Sequence, residues 1–461
     1  MAKDKKVEKE KQEKSDKVPF SKKVGFISLG CDKNRVDTEN IITKLSCYPC
    51  FSFVYNKQEA DIIIINTCSF LQVARDEAED TIREILELKR SGSLQKLIVA
   101  GCLPLLEGEE VLKKFPEVDK IIVPSDYNKI DEIVFSLFGE DIPEEKTEVE
   151  ARIITTPMHY AYLKIADGCN NRCAYCKIPF IRGKYVSLPM EEILKEAEAL
   201  TNKGVKEIIL VAQDITRYGM DLYKGFKLVE LLRSLAKLKK LSWIRLLYCY
   251  PDMLDQELID EIENNHKVLK YIDIPLQHIS NNVLKLMKRR GTKEEIIEKI
   301  NLLRKKIPDI KIRSTFMVGF PGETEKDFKE LCKFLTDFKL DNVGFFKYSR
   351  EEGTASYDYE NQVEEKVKDK RLKKVQDLQE KIATKNNLKL VGNTYKIICD
   401  EYDAKHNFYV GRPYFSAPDI DFQVLFSSYK KIKVGSFIDV KITDFNQGYF
   451  IGEVEFDEFA E

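Results

Sequence analysis

From Val24 the chain alternates short apolar runs with amphipathic stretches: VGFIS at 24, DIIIIN at 61 and KLIVA at 96, with helical periodicity between them, as over Leu71 to Arg90. That alternation predicts a parallel α/β layer. An acidic, polar stretch around DIPEEKTEVE follows and reads as a linker. Six more apolar runs come next: YLKIA at 162, EIILVAQ at 207, SWIRLLYC at 242, YIDIPLQ at 271, IRSTFMVG at 312 and NVGFFKY at 342. Helix-like segments separate them. One is Met190 to Lys203, with Pro189 and two glutamates at its start and Gly204 just past its end. Six β-α repeats over roughly 190 residues predict a curved parallel sheet, an incomplete barrel, because eight units typically take about 250. Reactive groups then belong at the C-terminal rim of the strands. A long polar helix, Glu364 to Leu388, leads out of this region. After it YKIICDEY, VLFSS, KKIKVGSFIDVKITDFN and YFIGEVEF read as the short strands of a small β-barrel.

The expected fold class is α/β, with an N-terminal parallel α/β domain over 23–140, a linker over 141–154, a partial (β/α)6 TIM-like barrel over 155–387 and an OB-like β-barrel over 388–461. Residues 1–22 are mostly Lys, Glu and Asp with almost no aromatics, a composition that cannot offset the entropy of ordering and predicts a disordered tail. Formal net charge is −2 with 33% charged residues, so no global positive excess forces a nucleic-acid reading. Any RNA contact has to be local. The N-terminus lacks an apolar secretory core and no run approaches the length of a bilayer span, which predicts a cytoplasmic chain with no membrane partner. Eleven cysteines, an odd number, do not read as a disulfide framework.

DGCNNRCAYC places Cys169, Cys173 and Cys176 in a Gly/Asn loop just after the YLKIA strand. Three thiolates at spacings of four and three can wrap one iron–sulfur cube and leave its fourth iron without a protein ligand. The alternatives are a zinc site, although the nearest histidine, His159, precedes the strand, or three core cysteines. Cys31, Cys68 and Cys102 form a second set: each lies just past the end of a predicted strand, at the edge of a parallel sheet where loops converge. Taken singly each is an ordinary core cysteine; in three equivalent places they can hold a second cluster. Cys47 and Cys50 form a C-x-x-C pair, which with Pro49 inside it and no second pair nearby reads as structural, as do Cys249, Cys332 and Cys399.

C-x-x-x-C-x-x-C after the first strand of a six-unit partial barrel resembles the radical S-adenosylmethionine superfamily. GCDKNRVDTE, NTCSF and AGCLP resemble the N-terminal domain of the methylthiotransferases within it, and the C-terminal barrel is TRAM-like. The resemblance implies two 4Fe–4S clusters and S-adenosylmethionine, cleaved at the Cys169/Cys173/Cys176 site to a 5′-deoxyadenosyl radical, with sulfur held at the Cys31/Cys68/Cys102 site. It places Tyr175 beside the adenine and the strand of Gly319 near the adenosyl group. Gln213 and Asp214 at the end of the second barrel strand, His278 at the end of the fourth and Arg313 on the fifth are further cofactor-binding candidates. No general acid or base is required, and none is assigned.

SLGCDKNRVD, GCNNRCAYCKIPFIRGKYVS, ILVAQDITRYG, RLLYCYPD, KYIDIPLQH and VGRPYFSAPDID resemble the branch that modifies an aspartate β-carbon on a small-subunit ribosomal protein of the decoding centre. That resemblance implies the ribosomal protein as substrate, an electron donor such as a flavodoxin or ferredoxin, and proximity to the ribosome or its RNA. The alternatives are a transfer-RNA adenosine methylthiotransferase and a non-catalytic iron–sulfur protein that binds RNA or the ribosome. Residues 388–461 carry eight Lys/Arg against twelve Asp/Glu, which favours a basic protein over phosphates as the partner.

Overall fold

The computed structural model describes residues 20–455. Their contacts divide them into two compact units, one comprising 20–69 and 73–153, the other 70–72 and 154–455. Among the described residues no helix is long and apolar enough to cross a membrane. Most of the charged N-terminal segment, 1–19, lies outside the described residues. Its predicted extent is too long: Phe20 packs against Phe51, Phe135 and Phe138, and Lys22 already pairs with Phe51 in the first strand. An aromatic ring within reach of a core is held there by burial.

The first unit is a five-stranded, all-parallel sheet in the order β2-β1-β3-β4-β5: β1 Lys22–Ser28, β2 Phe51–Val54, β3 Ile62–Thr67, β4 Lys96–Gly101 and β5 Lys120–Ile122. The run of isoleucines in β3 is buried on both sides because successive side chains point to opposite faces. Ile63 and Ile65 enter one hydrophobic cluster, Ile62 and Ile64 the other. The edge strands β2 and β5 are additional to the sequence reading. With four and three residues, they are too short to show a period.

In the second unit six parallel strands follow in sequence order: β6 Tyr160–Lys164, β9 Glu207–Val211, β10 Trp243–Leu246, β11 Val268–Gln277, β12 Lys311–Val318 and β13 Asn342–Lys347. β6 and β13 are the two edges, as an incomplete barrel requires. A two-residue antiparallel ribbon, β7 (Ala166–Asp167) with β8 (Val186–Ser187), closes the loop between β6 and the helix Met190–Asn202. The long helix runs Glu365–Asn387. Beyond it lies a closed five-stranded barrel of β14 Thr394–Asp403, β15 Phe408–Pro413, β16 Val424–Ser427, β17 Phe437–Asn446 and β18 Tyr449–Val454. β15 is a strand the sequence pattern does not show, because GRP reads as a turn. The long apolar run also splits: KKIKVGS lies outside any strand and β17 begins at Phe437.

A buried ionic junction fastens this small barrel to the parallel sheet. Glu207 on β9 pairs with Arg245 of β10 at 2.7 Å and with Arg412 of β15 at 2.8 Å. Arg412 also grips Asp400 of β14 at 2.7 Å, and Asp400 in turn meets His159 at 2.7 Å. Two guanidinium groups hold Glu207 ionised despite complete burial, and Arg412 lowers Asp400 likewise.

Candidate functional site

In the first unit the register places Ser28 beside Asn66 and Asn66 beside Ala100, so the loops after β1, β3 and β4 leave three adjacent strands at one edge. Cys31, Cys68 and Cys102 sit in those loops. Cys31 is the N-cap of the helix Asp32–Ser46 and Cys102 opens the short helix that follows β4. Asn34 ties the loops together. Its amide donates to Leu29 O (3.0 Å) and Thr67 O (2.9 Å), and the Cys102 thiol stands 3.8 Å from its carbonyl oxygen. Asn66 donates back to Asn34 O at 2.9 Å. Two glycines allow the close approach. A Cβ on Gly30 would stand 2.6 Å from Cys68 Cβ, and one on Gly101 2.3 Å from Asn66 Oδ1, both residues having positive φ. The donor set fits an iron–sulfur cluster: three thiols on converging loops, two of them at helix starts.

In the second unit the cysteine loop leaves β7 through Gly168, whose φ is +74 and where a Cβ would lie 2.1 Å from Lys184 O. Backbone bonds fix the loop: Cys169 N–H to Gly183 O, Ala174 N–H to Met287 O and Cys176 N–H to Cys173 O. Each sulfur has a different neighbour. Asn171 N–H points at Cys169 Sγ (3.5 Å), Ile178 N–H at Cys176 Sγ (3.4 Å), and Cys173 Sγ lies 3.1 Å from the Tyr250 hydroxyl. Arg289 donates to that hydroxyl, lies over the Tyr250 ring and approaches Cys173 Sγ at 3.9 Å. Burial pushes the Cys169 thiol up and the Cys176 thiol up to about 12, with the neighbouring Cys173 raising both further. The thiols therefore share one desolvated volume. That fits a cluster, whose irons supply the positive charge a buried thiolate needs. Among the described residues no three His, Cys, Asp or Glu groups stand close enough to hold a single metal ion. A cube offers each thiolate its own iron and needs no such tight convergence.

The other sequence-predicted residues divide into two sets. Tyr175 packs in an apolar cluster with Ala174, Met287, Phe320 and Tyr348, and burial raises its phenol. Asp214 takes hydrogen bonds from Asn171 Nδ2 (3.1 Å) and Arg217 Nε (3.0 Å), so it buttresses the cysteine loop from below; burial raises its carboxyl. Gln213 donates to Asp167 (2.9 Å), which also accepts from Gly168 N–H. The second set bonds elsewhere. His278, fully buried, accepts from Ser280 N–H at 3.0 Å and faces Glu323 at 3.8 Å. Glu323 also accepts from Gly319 N–H, and a Cβ on Gly319 would meet Lys368 at 2.3 Å, so the crossing helix requires that glycine. Arg313 pairs with Asp273 (3.0 Å) and with Asp421 of the small barrel (3.6 Å). Tyr250 and Arg289 are the residues that sequence reasoning missed. Tyr250 follows the end of β10, at the rim where the other candidates were sought, whereas Arg289 in MKRRG carries no local signal.

Comparison with known proteins places these features. The pattern described as "Radical SAM superfamily" matches residues 163–335, "Uncharacterized protein family UPF0004" residues 23–123 and "TRAM domain" residues 391–454. The chain is 47% identical over 442 residues to the Ribosomal protein uS12 methylthiotransferase RimO of Clostridium botulinum (strain Eklund 17B / Type B), covering 94% of this chain and 98% of that protein. It is 47% identical over 445 residues to the protein of the same name from Clostridium kluyveri, with the same coverage. Among solved structures, the radical S-adenosylmethionine methyltransferase TsrM from Kitasatospora setae superposes with a TM-score of 0.53 at 13% identity, over 70% of this chain and 73% of that one. The cobalamin-dependent radical enzyme OxsB superposes with 0.51 at 16% identity, over 78% and 56%. At such identities the structural likeness speaks for the fold alone. The superfamily match and the sequence relatives together imply S-adenosylmethionine and 4Fe–4S clusters as cofactors. With identity near one half over almost its whole length, the chain belongs to the RimO family of radical S-adenosylmethionine methylthiotransferases.

Proposed function

We propose that this chain replaces a hydrogen on the β-carbon of an aspartate in ribosomal protein uS12 with a methylthio group. The carrying observation is the pair of three-cysteine sets, each at the C-terminal edge of its own parallel sheet, in a chain similar end to end to uS12-modifying enzymes. Cys169, Cys173 and Cys176 hold one 4Fe–4S cluster and Cys31, Cys68 and Cys102 the other. When bound, the first supplies the electron that cleaves S-adenosylmethionine and the second carries the sulfur to be transferred. The chain's own groups set the stage. Arg289 and Tyr250 hold positive charge and a hydroxyl against Cys173, Asp214 fixes the loop through Asn171, and Tyr175 closes one side with an apolar face. The acidic balance of residues 388–461 supports a basic protein, rather than transfer RNA, as substrate. This reading brings with it a cytoplasmic location near the ribosome and a flavodoxin- or ferredoxin-type electron donor.

The test is anaerobic reconstitution of the full chain with iron, sulfide and S-adenosylmethionine, followed by mass spectrometry of uS12. Replacing Cys169, Cys173 and Cys176 by alanine is expected to abolish S-adenosylmethionine cleavage and halve the iron. The triple alanine variant at Cys31, Cys68 and Cys102 is expected also to lose half the iron, to keep cleavage and to stop sulfur insertion. Full iron in that second variant would overturn the first-unit site, and methylthiolated transfer RNA with unmodified uS12 would overturn the substrate.

A further inference from the structure

β13 is one edge of the catalytic sheet, with the start of the helix Glu365–Asn387 ion-paired to its last residue, Lys347. All six of its residues are half-buried, whereas β9 and β10 are buried throughout. Val318 registers with Lys347, and Tyr348 N–H reaches Val318 O at 2.9 Å. Since a parallel ladder uses every second amide, residues 342, 344 and 346 turn theirs toward β12. Val343, Phe345 and Lys347 turn theirs outward, where among the described residues no acceptor meets them. An edge of this kind is a template for another strand.

A groove of about 710 Å³ surrounds this edge. Asn342 and Gly344 line it from one face of the sheet and Val343 and Phe345 from the other, so it straddles the strand instead of lying on a face. Its far walls are the helix Glu365–Asn387 and the small-barrel segments at 419–423 and 447–449. Gly344 is not demanded by its own fold: a Cβ there would touch only Thr315, at 4.0 Å. A glycine inside a strand without such a need suits the approach of another backbone. Asp341, Glu380, Asp419 and Asp421 line the groove against Arg313 alone; counting Lys311, which holds Asp341, carboxylates still outnumber cations four to two. The strand also leads to the reactive end. Tyr348, just past β13, shares an apolar cluster with Ala174 and Tyr175 of the cysteine loop.

We propose that the substrate protein docks by adding an extended, lysine- and arginine-rich segment to the edge of β13. Main-chain bonds to Val343 and Phe345 supply affinity, the carboxylates select for a cationic chain, and the added strand runs toward the cysteine loop. This rests on the ribosomal-protein reading of the substrate.

The test uses the full reconstituted chain with purified uS12. On saturation with uS12, the amides of Val343 and Phe345 are expected to exchange more slowly. Val343→Pro, which removes an outward amide, is expected to raise the KM for uS12 about three- to tenfold, the factor one net hydrogen bond is worth. Val343→Ala, which keeps the amide, is the control for the lost side chain and for folding. Slowed exchange with a KM effect in the proline variant alone supports the docking mode. Wild-type enzyme that modifies uS12 while both amides exchange unchanged, or alanine and proline variants with equal KM, overturns the docking mode and leaves the function standing. If wild-type enzyme does not modify uS12, both fall.

Discussion

Single atoms decide much of the geometry around the cysteines. At Gly101 the backbone has φ +96, and a methyl group would stand 2.3 Å from Asn66 Oδ1 and 2.6 Å from Thr67 O. Gly101→Ala should therefore cost at least about 1–3 kcal/mol in backbone strain alone and displace Cys102. The measurements are a urea midpoint and iron content, with the loss expected from the first-unit cluster only. Asp327 offers a pH-dependent counterpart. It accepts from Ser280 Oγ, Asn282 Nδ2 and Thr324 N–H, and these bonds hold its carboxyl down at about 2. A depressed folded-state value means the stabilisation is full above the unfolded value near 4 and is lost as pH falls toward 2. Discounted for solvent screening, Asp327→Asn should cost about 1–2 kcal/mol at pH 7. Its unfolding midpoint should converge on that of the wild type between pH 4 and 2; a constant gap would show that the carboxylate charge is not the cause. At this scale the cysteines were legible because each follows an apolar run, and a strand end is visible in sequence. Arg289 was not, because what brings it to Cys173 is the packing of the β11–β12 connection.

At the scale of elements, long strands with continuous burial announced themselves, and short or polar ones did not. β3 and the six strands of the catalytic sheet are apolar runs flanked by polar turns. β2 and β5 are edge strands of four and three residues, and β15 hides a buried arginine beside a proline. That arginine is the most consequential part of β15. Arg412 is 1% exposed at the side chain and holds Glu207 and Asp400 together. Removing it leaves Glu207 with Arg245 and takes from Asp400 its guanidinium partner, so that two buried carboxylates face one buried guanidinium. Arg412→Met is expected to destabilise the second unit by about 3–5 kcal/mol, read from denaturant midpoints. Combining it with Asp400→Asn should recover part of that loss, since Glu207 keeps Arg245 and the cost lies in the one stranded charge more than in the missing bonds. A single variant as stable as the wild type would show that water reaches the junction.

For the molecule as a whole, sequence divides the chain at about residue 387 into a catalytic barrel and a small β-barrel, whereas contacts join both into one unit. The difference is physical: sequence shows where periodicity changes, and the contacts that join the two pieces are between residues far apart in the chain. Besides the ionic junction, Tyr271 on β11 donates to Asp421, and Arg245 donates to Tyr414 O at 2.8 Å. The TRAM-like barrel is thus part of the foundation of the catalytic unit. A chain ending at residue 387 would take from Glu207 one of its two guanidinium partners and lay bare the ends of the catalytic strands that the small barrel covers. Such a truncation is expected to be insoluble or to lose S-adenosylmethionine cleavage itself, beyond any loss of substrate recognition, and a soluble truncated enzyme that still cleaves would refute this. The same logic governs the making of chimaeras. A small barrel taken from a relative would graft only if it brought the equivalents of Asp400, Arg412 and Asp421, so that this module can be exchanged only together with part of the core it helps to build.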